Sequence, residues 1–182
     1  MSAICCLKPN VSRAEAEESF SPSGWRGRFQ AAVRGPLRSV ADVYIPFRLY
    51  RVEIENGGKK DTRLLALDSV SGVLDLYGFD QVPGPEDVTY LETRNHPEAR
   101  LEESRARELV AEKVRRLIFL TGFFRVRDFA IRVEPLSFEF HVPYWVGFFG
   151  SGAEADLAVL DAVRRRAEGA KARTLMRDWL TQ

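Results

Sequence analysis

The sequence predicts an α+β fold made of two related halves, each an antiparallel meander with a packed helix. Three observations carry this. Leu136, Phe138, Phe140, Val142, Tyr144, Val146 and Phe148 alternate with Ser137, Glu139, His141, Pro143, Trp145 and Gly147. That period of two is the mark of a strand with one face on a core. The stretch Val43 to Leu49 has the same form, and setting Pro46 on Pro143 brings the apolar positions into phase. Finally, LLALDSV at 64–70 aligns with LAVLDAV at 157–163. The expected organisation is a flexible N-terminal arm over 1–24, a first α+β repeat over 25–85, and a second over 86–182 with a C-terminal helix.

Bulk properties bound the function. A chain of 182 residues is long enough for a core, and 45% hydrophobic with 29% charged residues is ordinary for a soluble globular protein. The net charge of +1 gives no global field toward nucleic acid or an anionic membrane. Cys5 and Cys6 are adjacent, so they cannot staple distant segments. The start has no basic region and only a short apolar run. No uninterrupted apolar run approaches the roughly 20 residues of a bilayer span. A cytoplasmic protein without a membrane span is expected.

Taken in order, residues 1–24 are polar and end in Ser21-Pro22-Ser23-Gly24, which reads as an arm. Trp25, Phe29, Ala32 and Val33 suit a short helix over 25–34 that stops at Gly35-Pro36. A first strand follows over 42–55. Its apolar phase moves from odd positions to Val52 and Ile54, which suggests a bulge near Tyr50-Arg51. Asn56-Gly57-Gly58 is a hairpin signal, with strands returning over 64–68 and 73–77. Residues 78–86, with Pro83 and Pro85, form a loop.

Residues 97–121 are a helix with proline near the start and Gly122 beyond the end. Its apolar stripe contains Ala106, Leu109, Val110, Val114, Leu117, Ile118 and Thr121. Phe129, Ile131 and Val133 form a short strand broken by Pro135, and the long strand follows. Residues 150–155 are a turn. For 157–163 the capping pair Ser151 and Glu154 argues helix, while the repeat argues a strand ending at Asp161. The strand is favoured because the repeat constrains more positions. Gly169 opens a last helix bearing Ala172, Leu175, Met176, Trp179 and Leu180.

A strand ending in leucine-aspartate before a glycine turn, as at Leu67, Asp68 and Gly72, resembles the PepSY-type module. Leu160 and Asp161 match in part, with Arg165 where the glycine would be. The resemblance covers about 70 residues in two imperfect copies. It implies a small α+β fold and a role in binding or restraining partners.

Several residue types invite a chemical reading. His96 and His141 are the only histidines, too few for a metal site without further donors. His96 precedes a helix in Asn95-His96-Pro97 and reads as an exposed loop residue. Asp68 and Asp161 hold matching positions. They are either an acid–base pair or, more simply, caps of the turns that follow. No serine or cysteine sits in a nucleophile motif, and no glycine-rich phosphate loop occurs.

The face opposite the core carries Tyr44, Arg48 and Tyr50 from the first long strand and Glu139, His141 and Trp145 from the second. Aromatics beside arginine and histidine suit recognition, and these six are the candidate ligand-binding residues. The alternative is that helices cover this face. The tail holds Arg164, Arg165, Arg166, Lys171, Arg173 and Arg177 against Asp161, Glu168 and Asp178. The expected function is non-catalytic binding of a protein partner or small ligand, with no cofactor. Contact with nucleic acid or an anionic surface through the basic tail is the runner-up, and homo-oligomerisation stays open.

Overall fold

Two strands of 20 residues each dominate the computed structural model, which describes residues 2–25, 32–120, 129–150 and 156–181. In chain order the elements are β1 (Ser2–Leu7), α1 (Arg13–Phe20), β2 (Leu37–Asn56), β3 (Lys59–Asp68), β4 (Tyr77–Phe79) and β5 (Val88–Thr93). They continue with α2 (Glu103–Leu120), β6 (Ala130–Phe149), β7 (Asp156–Asp161), β8 (Arg166–Glu168) and α3 (Ala170–Leu180). The class is α+β and rich in strand. No helix among the described residues is long and apolar enough to cross a membrane.

The chain forms two compact units, each assembled from segments distant in sequence. The first comprises Met1–Ile45, Val88–Pro97 and His141–Gln182; the second comprises Pro46–Asp87 and Glu98–Phe140. These units do not follow the contiguous spans 25–85 and 86–182 expected from the sequence. Both long strands pass from one unit to the other, at Ile45-Pro46 and at Phe140-His141.

In the second unit the strand order is β4-β3-β2-β6. The β2–β3 register runs unbroken from Phe47↔Asp68 to Asn56↔Lys59, so the expected bulge near Tyr50-Arg51 is absent. The apolar phase changes for another reason: the buried face changes along the strand. Phe47 stacks with Phe140 at 6.3 Å and meets Tyr77 edge-on, within a ring cluster that includes Phe79 and Phe138. Tyr50, Val52 and Ile54 point the opposite way, into a cluster with Leu67 and with Ala106, Val110 and Val114 of α2.

β6 behaves alike. Ile131 and Val133 pack toward the α2 cluster, while Phe138 and Phe140 join the rings. Residues 130–149 are therefore one strand, with Pro135 inside it. α2 begins at Glu103 rather than at 97. The expected helix end at Gly122 lies outside the described residues.

The first unit corrects the reading of residues 1–24 as an arm. β1 pairs antiparallel with β5 from Ser2↔Thr93 to Leu7↔Val88 and touches β6 at Cys6↔His141, with Ile4, Cys6 and Leu7 buried. β5 follows the expected loop over 78–86, in residues to which the sequence reading gave no element. α1 starts in a reciprocal capping box, Ser12 with Glu15, and buries Ala16 and Phe20. The Phe20 ring meets Phe149 edge-on at 6.3 Å. Gly147 makes room, since a Cβ there would lie 2.8 Å from the Phe20 ring.

β7 pairs with β6 from Tyr144↔Asp161 to Phe149↔Asp156, so residues 156–161 are the strand that the repeat favoured. α3 follows the N-cap Gly169 and buries Ala172, Leu175 and Met176. The helix expected over 25–34 and the turn over 150–155 fall largely outside the described residues. The third strand of the first meander is Tyr77–Phe79, because residues 69–76 form a loop held by Asp68.

Candidate ligand site

The six candidate binding residues divide between the units. Arg48, Tyr50 and Glu139 belong to the second, and Tyr44, His141 and Trp145 to the first. Tyr50 is fully buried beneath α2 and offers no surface. Arg48 keeps 19% of its side-chain exposure and is gripped by Glu139, with Nε 2.8 Å and a terminal nitrogen 2.7 Å from Oε1. Burial works against the Arg48 charge, but Glu139 more than offsets it, and the guanidinium pKa stands above its ordinary value.

In the first unit Trp145 donates its indole N–H to the Val11 carbonyl at 2.9 Å and packs against the α1 cluster. Burial foremost, then the Asp42 hydrogen bond, raises the Tyr44 phenol well above its ordinary pKa. Helices thus cover this strand face at Tyr50, beneath α2, and at Trp145, beside α1, while Glu139 keeps 63% of its side-chain exposure.

The two aspartates each secure a turn. Asp68 is fully buried; its Oδ1 accepts from the N–H of Ser71 at 2.9 Å and of Gly72 at 2.8 Å, and its Oδ2 from Leu74 at 2.9 Å. Asp161 Oδ1 accepts from the N–H of Val163 at 2.9 Å and of Arg164 at 2.8 Å. Gly72 and Arg165, each four residues on, both take the left-handed backbone, with φ of 71° and 56°. Turn capping accounts for the Asp68 carboxylate and for Oδ1 of Asp161, and the two residues lie in different units.

His96 is half-buried rather than an exposed loop residue. Its Nε2 lies 2.5 Å from Ser2 Oγ, and its ring meets the His141 ring edge-on at 5.5 Å. His141 Nδ1 faces the Cys5 carbonyl at 3.1 Å. No cluster of three or more metal-binding side chains occurs among the described residues. Burial, with Cys5 alongside adding to it, pushes the Cys6 thiol up to about 11, which keeps it protonated and unreactive near neutrality. Both cysteines are free thiols.

A cavity of about 490 Å³ lies in the second unit, between the open end of the β2–β3 hairpin and the C-terminal turns of α2. Its floor is apolar: Ile54, Leu117, Ile118 and Phe129. Its rim is basic, from Lys59 and Lys60. Arg63 also reaches the rim, but its Nε lies 2.8 Å from Asp61 Oδ2, so that charge is matched locally. Among the described residues no carboxylate comes within salt-bridge distance of Lys59 or Lys60. A second hollow of about 550 Å³ over β3 and β4 has a more polar wall, with Arg51, Thr62 and Asp80.

None of the cavity residues was singled out in the sequence as a site. One signal was present: Leu117-Ile118-Phe119-Leu120 is a run of four apolar residues on an otherwise charged helix, and one helix face can bury only part of it. In the structure Leu117, Phe119 and Leu120 stay 48%, 53% and 73% exposed. The basic tail is partly spent on neighbours. Arg166 pairs with Glu168 at 3.0 Å, and Arg165 reaches Glu15 at 3.6 Å and the Asn10 carbonyl. Comparison with protein-family models, with curated proteins and with solved structures found no match to this chain.

Proposed function

We propose that this chain is a non-catalytic binding protein that holds a small, largely apolar ligand in the cavity beside α2. The observation that carries the reading is the lining: about 490 Å³ against Ile54, Leu117, Ile118 and Phe129, with Lys59, Lys60, Asp61 and Arg63 as its charged members among the described residues. Ligand sites have this volume and this mixture of an apolar wall and a few placed polar groups. The reactive side chains elsewhere are engaged in structure. Asp68 and Asp161 cap turns, and Cys6 is held protonated.

The same reading includes two related halves, each of the order strand, helix and three strands. Equal lengths of β2 and β6 support it, as do matching backbone bonds, Ser69 N–H to Pro46 O at 2.8 Å and Ala162 N–H to Pro143 O at 3.1 Å. The PepSY-like pairing of a strand-ending aspartate with a left-handed turn residue fits both hairpins and agrees with a binding role.

The test uses the uncharged fluorophore N-phenyl-1-naphthylamine, whose emission rises in apolar surroundings. The full chain should bind it saturably. Leu117→Asp should weaken binding by tenfold or more without lowering the thermal midpoint, because Leu117 is 48% exposed and its loss empties no core. Absence of saturable binding, or equal binding by Leu117→Asp, would overturn the assignment.

A further inference from the structure

We infer that the ligand of this cavity is a single-chain carboxylate amphiphile, a fatty-acid-like molecule whose head sits at Lys59 and Lys60 and whose chain follows α2. The inference rests on the cavity reading above and adds the ligand's charge and shape. Charge comes from the rim. Among the described residues its formal charges are Lys59, Lys60 and Arg63 against Asp61, and Asp61 is occupied by Arg63 at 2.8 Å. Two lysines on flexible stems remain in the lining, Lys60 with Glu55 opposite it in the β2–β3 register. A compact anionic head can meet both, whereas a cation would meet repulsion and a neutral head would gain no charge pairing.

Shape comes from the helix. Leu117 lines the cavity, and Leu120, one turn further, is 73% exposed. Residues three apart share a helix face, so the apolar wall continues out of the cavity along α2. Phe119 is also exposed, and its ring lies 6.5 Å from that of Phe129, a residue of the cavity floor. An apolar track longer than the cavity suits an extended chain better than a compact ring system. Lys59 and Lys60 stand at the hairpin turn and line the cavity with Leu117.

The experiment compares dodecanoate, dodecan-1-ol and dodecylammonium in displacing N-phenyl-1-naphthylamine from the full chain at low salt and neutral pH. Dodecanoate should bind at least fivefold more tightly than the alcohol, since an exposed ion pair contributes up to about a fivefold factor for each lysine engaged. The cation should bind most weakly. Added salt should narrow the gap. Across octanoate, decanoate and dodecanoate, affinity should rise by roughly fourfold per methylene. In Lys59→Glu/Lys60→Glu the preference should invert, with the cation ahead of the carboxylate.

If the fluorophore and the alcohol bind but the carboxylate gains nothing, this inference falls while the cavity assignment stands. It falls equally if the charge-reversed variant keeps the wild-type preference, or if chain length has no effect. If neither the fluorophore nor any of the three amphiphiles binds, the cavity assignment falls with it.

Discussion

Removing the Asp68 carboxylate should destabilise the second unit more than most single substitutions. The group is fully buried and holds the loop 69–76 through three backbone amides, with Ser71 Oγ at 3.3 Å as a further donor. The bonds to Gly72 and Leu74 are buried. Two buried amides left without acceptors cost about 1–3 kcal/mol each, so Asp68→Ala should lose about 2–6 kcal/mol. Asp68→Asn keeps the shape and one oxygen. Its amide nitrogen must then face either the Leu74 N–H or the pair from Ser71 and Gly72. The loss of one charge-assisted bond sets its cost at about 1.5–3 kcal/mol. The loop also reaches α2, since Lys113 Nζ donates to the Leu74 carbonyl at 2.7 Å. Urea denaturation at constant m-value measures both variants, and hydrogen exchange reads the amides directly. Gly72 and Leu74 should be protected in the wild type and exchange fastest in Asp68→Ala. An Asp68→Asn midpoint equal to that of the wild type, with both amides still protected, would refute the argument.

The two left-handed turn residues should respond oppositely. Gly72→Ala combines φ of 71° with a Cβ 2.5 Å from Leu109 Cδ1 and should lower the denaturation midpoint, whereas Arg165→Gly relieves roughly 1–2 kcal/mol of backbone strain and loses only exposed contacts, so its midpoint should hold or rise. The Cys6 thiol, raised to about 11, should react with iodoacetamide far more slowly than Cys5 at pH 8 and catch up only in denaturant. Its raised pKa also fixes the sign of a pH effect. The neutral thiol is the form that folding favours, so this contribution to stability is present below the ordinary thiol pKa and fades as pH climbs toward 11. Cys6→Ser should flatten the alkaline limb of a stability-versus-pH curve, and an unchanged limb would count against the assignment.

How far the sequence could be read depended on how many neighbours each residue had to satisfy. Long strands with strict alternation were legible, as at Phe140 to Val146, because one buried face leaves a period of two. The Asn56-Gly57-Gly58 hairpin was legible because Gly57 and Gly58 both need positive φ. The apparent bulge at Tyr50-Arg51 and the break at Pro135 misled for a shared reason. A strand buried on one face and then on the other changes its apolar phase without any change in backbone register. β1 was missed because SAICCL is short and sits among polar residues, and its burial comes from β5 and β6, which are remote in sequence. The candidate face is covered at Tyr50 by α2 and at Trp145 by the α1 cluster. Which strand a helix covers is set by chain topology, and local pattern does not report it.

The cavity itself arises from a difference between two similar arrangements. In the first unit α1 packs at β6–β7, which also meets α3, and in the second α2 packs on β2–β3. α1 has 8 residues and ends at Phe20, whose ring fills the space over Gly147 and against Phe149. α2 has 18 residues and buries Ala106, Val110 and Val114, then runs on for six more to Leu120. Those last turns stand over the end of the hairpin, where Ile54 is the last buried residue of β2 and the facing positions are Lys59, Asp61 and Arg63. Polar residues on β3 cannot close an apolar helix face, so the space between stays open with a greasy floor and a charged rim. Ending α2 just after Val114 would remove the Leu117 and Ile118 wall of the cavity and leave the Tyr50–Val110–Val114 packing in place. The extra helical length leaves Leu117, Phe119 and Leu120 exposed to water, and that apolar patch is what the proposed ligand site rests on.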